Sequence, residues 1–377
     1  MKSKSVFLIF AAVLIVIVLG LINIAEHVSK ESDNKKIDIS NVLSDSNEDT
    51  SFKRAYEPVK FSFPADHGSH PEFQTEWWYF TGNLADEEGN GFGYQLTFFR
   101  RALSSKPLKK DSAWRANTIY FAHFAITDVV QKKYHYFEKW SREAPELAGS
   151  ETEQLHVWID DWEVKTDQNN NYILKSQSEN KEISLLLKET KNVVLNGNKG
   201  LSQKSKEPGN ASYYYSLTRL DASGEITIDG KKYTVDGLSW FDHEWSTRAL
   251  GEDQKGWDWF SIQLDNNTEV MVYMLRKKDG TIDPVSSGTY VAGLGKAEHL
   301  TNSDFSVDIK DYWKSLKTGT KYPSKWNMKI PKFDLSLDIQ PVLNDQEFSH
   351  SFTYWEGAVK VSGGGVSGQG YVELTGY

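Results

Sequence analysis

One segment of this chain is written twice, and that constrains the fold more than any single motif does. Gly256-Trp257-Asp258-Trp259-Phe260-Ser261-Ile262-Gln263-Leu264 lies over Glu76-Trp77-Trp78-Tyr79-Phe80-Thr81-Gly82-Asn83-Leu84. Each copy is followed by a turn and a second apolar segment ending in basic residues, Tyr94 to Arg101 in the first and Val270 to Lys277 in the second. Gly288-Thr289-Tyr290-Val291-Ala292 then falls where Tyr120-Phe121-Ala122 falls, and Tyr354 to Tyr377 parallels Tyr215 through Trp240. Ordered agreement of several segments signals one structural unit built in tandem.

The unit is a β unit. Glu76 to Leu84, Phe92 to Arg101 and Tyr120 to Asp128 read as strands, as do Leu155 to Val164, Tyr172 to Ser178, Ile183 to Glu189, Tyr213 to Leu220, Glu225 to Ile228 and Lys232 to Val235. Turn residues divide them, among them Asp221-Ala222-Ser223-Gly224. Short strands at this spacing imply a sandwich or barrel, and closed antiparallel barrels remove exposed edges while enclosing one apolar ligand. The expected fold class is therefore all-β: two tandem lipocalin-like antiparallel β-barrel domains over 56–248 and 249–377, preceded by an N-terminal apolar helix.

That helix is expected from Lys2 and Lys4 followed by an apolar run from Val6 to Ile22. The run is longer than the roughly 7–15 residues of a signal-peptide core, and no convincing small-residue cleavage site follows. Residues 1–25 thus read as an uncleaved membrane anchor, with a cleaved signal as the alternative, and 26–55 as a disordered polar tether. The body is expected to be exported across the cytoplasmic membrane of a bacterium. With a net charge of -9 the chain is a poor nucleic-acid partner, and with no cysteine it has no disulfide, thiolate metal site or cysteine nucleophile.

The most chemically loaded stretch is Gly237 to Trp245, GLSWFDHEW. On a strand, Trp240, Asp242 and Glu244 share one face and Ser239, Phe241, His243 and Trp245 the other. Each face mixes rings with ionisable groups that are costly to bury unpaired, so the stretch reads as a pocket wall at the junction between the two domains. A structural hydrogen-bonded plug is the alternative for Asp242, His243 and Glu244, and core packing is the alternative for the tryptophans. His123 alternates with Phe121 and Ala125 and is expected to point into the first barrel. Asp66, His67 and His70 read best as a turn before the first strand. No short metal-ligand spacing occurs among these residues, and no metal or other cofactor is expected. There is no G-x-S-x-G nucleophile elbow.

Asp66-His67-Gly68, His70-Pro71, the Glu76 to Leu84 block, His123, Ser239 to Trp245 and Gly256 to Phe260 together make the chain resemble the carotenoid 1,2-hydratase (hydroxyneurosporene synthase) family and its AttH-type lipocalin-like relatives. The resemblance implies two lipocalin-like domains and, in some members, cofactor-free hydration of a terminal isoprenoid double bond; fold transfers more safely than reaction. It makes Asp242 the first choice for the proton donor. Asp258 or Glu76 is an alternative or additional carboxylate, Glu244 joins them, and His243 suits the water-activating role. Trp77, Trp78, Tyr79, His123, Trp240, Trp245, Trp257 and Trp259 are the expected ligand-binding set, several with ring faces suited to a cation. A hydratase-like lyase acting on an isoprenoid- or lipid-like molecule is the expected function, and a non-catalytic carrier of a lipophilic molecule is the alternative. Protein partners are not legible.

Overall fold

A computed structural model describes residues 51–105, 116–248 and 250–377. The expected apolar helix and most of the expected tether lie outside the described residues. Among the described residues only two 3-10 turns, Ala65–His67 and Pro331–Phe333, interrupt an all-β chain, and no helix is long and apolar enough to cross a membrane.

The strands form two antiparallel sheets, one of 13 strands between Thr75 and Ser246 and one of 10 between Gln254 and Leu374. Both are wired alike. In the first, the opening strand Thr75–Asp86 pairs with Gly91–Ala102 on one side and with the closing strand Lys231–Ser246 on the other. In the second, Gln254–Leu264 pairs with Glu269–Lys277 and with the closing strand Val366–Leu374. The repeated segment thus occupies the same place in both sheets. Each sheet curls nearly to closure, as in a lipocalin-like barrel, and the edge strand Lys133–Arg142 of the first packs against His156–Ile159 from near its other edge.

Two expected strand boundaries fail. Leu155 to Val164 is not one strand but a hairpin, His156–Ile159 and Trp162–Thr166, turned at Asp160 with φ 53°. Conversely, the expected turn at Asp221-Ala222-Ser223-Gly224 lies inside a single strand, Ala211–Ile228. Gly224 is there because a Cβ would lie 2.1 Å from the Ser184 carbonyl oxygen of the neighbouring strand. Glycine marks a close backbone approach as readily as a turn, and the local sequence does not distinguish them.

Alternation of side chains along the central strands separates two kinds of space. Trp78, Phe80, Phe241 and Trp245 point into the first barrel, where a single apolar cluster fills the interior. Phe260, Ile262, Leu264 and Val372 do the same in the second. The opposite faces of these strands meet between the barrels: Tyr79, Tyr214 and Trp240 of the first pack with Trp259, Met271, Tyr273 and Tyr371 of the second. Gly93 lies at this contact, where a Cβ would sit 2.6 Å from the Tyr371 hydroxyl and 2.8 Å from the Ala358 Cβ. Gly93→Val is expected to overpack the seam and cost about 1–3 kcal/mol, read as a lower urea midpoint.

Candidate functional site

Between the barrels lies a cavity of about 90 Å³. Its rings are Trp77, Tyr79, Phe99, Tyr214, Trp257, Trp259, Tyr273 and Tyr354, and its ionisable groups are Asp242, Glu244, Lys204, Glu356 and Glu373. The strand registers explain how these side chains converge. Tyr79 stands opposite Asp242 on the neighbouring strand, as Trp259 stands opposite Glu373. Across the next ladder Asp242 faces Ser216 and Glu373 faces Glu356. Two residues upstream of these last partners are Tyr214 and Tyr354. The tandem units therefore present equivalent positions to one cavity from opposite sides, related by an approximate two-fold.

Asp242 is buried and accepts three hydrogen bonds, from Ser216 Oγ at 2.5 Å and Trp240 Nε1 at 2.7 Å on Oδ1, and from Tyr214 Oη at 2.6 Å on Oδ2. Burial raises its carboxyl to about 7, outweighing those three contacts, because they come from neutral donors and the charge would otherwise lie in a ring-lined space. Glu373, with Trp257 Nε1 at 3.2 Å, is raised to about 7 by the same cause. Glu356 is pushed well above the ordinary range by burial and by Glu373, and Tyr79 Oη donates to its Oε1 at 2.5 Å. Lys204 Nζ pairs with Glu244 Oε1 at 2.9 Å and lies over the Tyr273 ring at 4.3 Å. The wall thus combines uncharged acids with one internal ion pair.

His243 and Glu76, expected beside Asp242, point the other way. Adjacent residues of a strand face opposite sides, so His243 enters the first barrel while Asp242 and Glu244 line the cavity. Glu76 Oε1 binds His243 Nε2 at 2.9 Å and His70 Nδ1 at 2.8 Å, and its Oε2 binds Arg100 Nε at 3.0 Å. Burial would raise this carboxyl, but those hydrogen bonds and the His70 and Arg100 charges hold it well below the usual range. Burial would lower His70, yet Asp66 and Glu76 raise it to about 9, and its ring stacks on Trp245 with centroids 3.6 Å apart. Asp66 and His70, read as mere turn residues, belong to this charged network. His70, Glu76 and His243 offer ligand atoms within 4.8 Å of one another, but the Arg100 guanidinium already holds the carboxylate and any added cation would sit against it.

Other expectations are corrected in the same way. Trp78 and Trp245 are core rings of the first barrel, not cavity lining. Trp240 lies behind Asp242 and holds it. Asp258 points into the second barrel, where Arg276 Nε at 2.8 Å and the Tyr377 hydroxyl at 2.9 Å bind it. His123 does not enter the first barrel: it faces the second, with Nδ1 2.7 Å from Tyr354 Oη. Trp77, Tyr79, Trp257 and Trp259 do line the cavity. Sequence reasoning missed Lys204, Tyr214, Tyr354, Glu356 and Glu373. The repeat as read from the sequence set Tyr377 against Trp240, several residues out of register; the ladders set Glu373 against Asp242 and Tyr354 against Tyr214.

Comparison with known proteins matches residues 54–377 to the AttH-like family model. A solved AttH-type structure from Nitrosomonas europaea superposes with a TM-score of 0.79 at 30% identity, covering 86% of this chain and 100% of that one. Kievitone hydratase from Nectria haematococca shares the fold, with a TM-score of 0.64 at 16% identity over 86% of this chain and 98% of that one. Dehydratase asqC from Emericella nidulans is 22% identical over 188 residues, 47% of this chain and 52% of the relative; the chain spans about half the length of that curated relative.

Two measurements test these assignments. Between pH 3.8 and about 7 folded Asp242 keeps a proton that the unfolded chain releases, so stability falls as pH rises through that window and stays reduced above it. Asp242→Asn lacks this slope, and its stability relative to wild type should improve by on the order of a few kcal/mol between about pH 4 and pH 8 in urea titrations; a gap constant with pH would mean that the carboxyl ionises normally. Glu76→Gln, which leaves buried Arg100 without its counter-charge, should cost about 3–5 kcal/mol.

Proposed function

This chain belongs to the AttH-like family, and from that premise we propose that the cavity between its barrels adds water to, or removes it from, a carbon–carbon double bond. The observation that carries this reading is Asp242: a carboxyl that keeps its proton near neutrality in a ring-lined space. Such a group is a general acid poised at working pH. Protonation of an alkene leaves a carbocation, and the ring faces of Trp77, Trp257 and Trp259 stabilise it, each by up to about 2 kcal/mol when desolvated. Water closes the reaction by forming the C–O bond. The reverse sequence is dehydration, and neither direction needs electrons from outside.

The hydratase and dehydratase among the relatives support the reaction class. Cavity size bears on the substrate. One water needs roughly 10–15 Å³ on this measure, and a cavity that takes benzene is about 150 Å³, so about 90 Å³ admits the reacting end of a longer molecule and not a whole polyene. We therefore propose an apolar alkene of isoprenoid type, inserted by its reacting end, as the substrate. The proposal retains export and an anchor over residues 1–25, which place the cavity beside a bilayer where such molecules partition. It also retains a lipophilic small molecule as the one partner.

An aryl alkene carrying a trisubstituted isoprenoid double bond is the trial substrate, with the alcohol product detected by mass shift of one water. Asp242→Asn should lower turnover by roughly 10²–10⁴-fold with the dissociation constant for the alkene nearly unchanged. Tight binding without turnover by the wild type would favour the carrier reading instead.

A further inference from the structure

The approximate two-fold gives each barrel a tyrosine at the cavity wall, and the two are held differently. Tyr214 donates to the acid Asp242. Tyr354, its counterpart, leads away from the acids. Gln95 Nε2 lies 3.0 Å from Tyr354 Oη and 3.2 Å from Thr97 Oγ1. The other end of that amide, Oε1, has no hydrogen-bond partner, and neither has Oε2 of Glu356. The amide turns its Nε2 toward Tyr354 and Thr97. Tyr354 then accepts from Gln95, and its own O–H is directed at His123 Nδ1, 2.7 Å away.

An Nδ1 that accepts must be bare, so His123 carries its hydrogen on Nε2. Nε2 lies 3.3 Å from Glu138 Oε1, within ion-pair reach but outside hydrogen-bond geometry, and neither atom has a hydrogen-bond partner. Glu138 is anionic: burial alone would raise it, but His123 and the Ser351 amide bring it to about 2. Burial lowers His123, so the ring is neutral near pH 7. The ionisable groups facing it are Glu138 from Lys133–Arg142, Tyr354 from Thr353–Gly363 and His350 just before that strand. The remaining neighbours are the rings Phe99, Phe121, Phe348 and Phe352.

We propose that Tyr354, His123 and Glu138 form the base arm of the cavity, opposite the Asp242 acid, with Tyr354 the catalytic residue and His123 and Glu138 positioning residues that take up its proton. This rests on the hydratase reading and completes its chemistry. As water attacks, one of its protons passes to Tyr354 Oη while the tyrosine proton passes to His123 Nδ1. The water oxygen forms the C–O bond, and the alkene π pair takes the proton of Asp242. The products are the alcohol, an imidazolium paired with Glu138 and an Asp242 carboxylate, and solvent returns the His123 proton to Asp242. The order of roles is that of a nucleophile, an imidazole and an orienting carboxylate, with a phenol in the first place.

Nitrogen-15 NMR of the full chain labelled at histidine reads the arm without any substitution: His123 should show the Nε2–H tautomer with Nδ1 unprotonated. Kinetics on the aryl isoprenoid alkene should show Tyr354→Phe lowering kcat by roughly 100-fold or more with KM little changed. Glu138→Gln should lower kcat by about 10-fold and move the acid limb of the pH–rate profile to lower pH, because the imidazolium loses its counter-charge. A His123 protonated on Nδ1, or Tyr354→Phe and Glu138→Gln variants with wild-type kcat and an unmoved acid limb, overturns the proposal. If Asp242→Asn is inactive while those two variants are not, only the base arm fails; if the wild type does not turn over the alkene, the hydratase reading fails and takes the arm with it.

Discussion

The rest of the structure depends on one constraint: residues 75–84 and 239–246, the paired stretches of the opening and closing strands of the first sheet, are buried on both faces. An antiparallel pair with one wet face alternates apolar and polar residues, and half of each strand is unconstrained. Here neither half is. One parity fills the first barrel and the other builds the wall against the second, so neighbours in sequence serve unrelated spaces. The mixed character of the Gly237 to Trp245 stretch follows directly. Asp242 and His243 are adjacent along the chain and separated by the thickness of a sheet.

The two spaces treat a buried carboxyl in opposite ways, and the difference lies in the donors. Glu76 is bonded by Arg100 and by a His70 that is itself raised to about 9. A nearby positive charge favours ionisation by more than burial opposes it, so Glu76 is a fixed anion that ties the segment around His70 to three strands. Asp242 is met only by a hydroxyl, a phenol and an indole. Three neutral hydrogen bonds do not offset full desolvation, and its proton stays within exchange range of neutral pH. Each carboxyl is buried and well bonded, yet only the second has a proton to give.

How much of this was legible in the sequence follows from the same geometry. The all-β class, the tandem unit and the loaded strand were readable, because period-two alternation and the repeated tryptophan block are local signals. Asp242 was also singled out, through a resemblance and not through spacing. What failed was grouping. Reading Asp242, His243, Glu244 and Glu76 as one constellation ignored the parity that the same stretch had already been assigned, and Trp78 and Trp245 were swept in by kinship with Trp77 and Trp257. Lys204, Glu356 and Glu373 were missed because they reach the cavity through sheet register and the packing of one barrel on another, which join residues far apart in the chain, Lys204 with Glu244 and Tyr79 with Glu356.

The seam between the barrels also bears on why the unit is duplicated within one chain. Two identical barrels meeting across a symmetry axis would form an isologous contact in which every substitution is made twice. An acid placed on one side would then be mirrored on the other, and a tyrosine could not be wired to a carboxyl in one subunit and to an imidazole in its twin. Covalent fusion lifts that restriction. Tyr214 and Tyr354 hold equivalent stations and keep different company, an asymmetry open to a fused pair and closed to a homodimer.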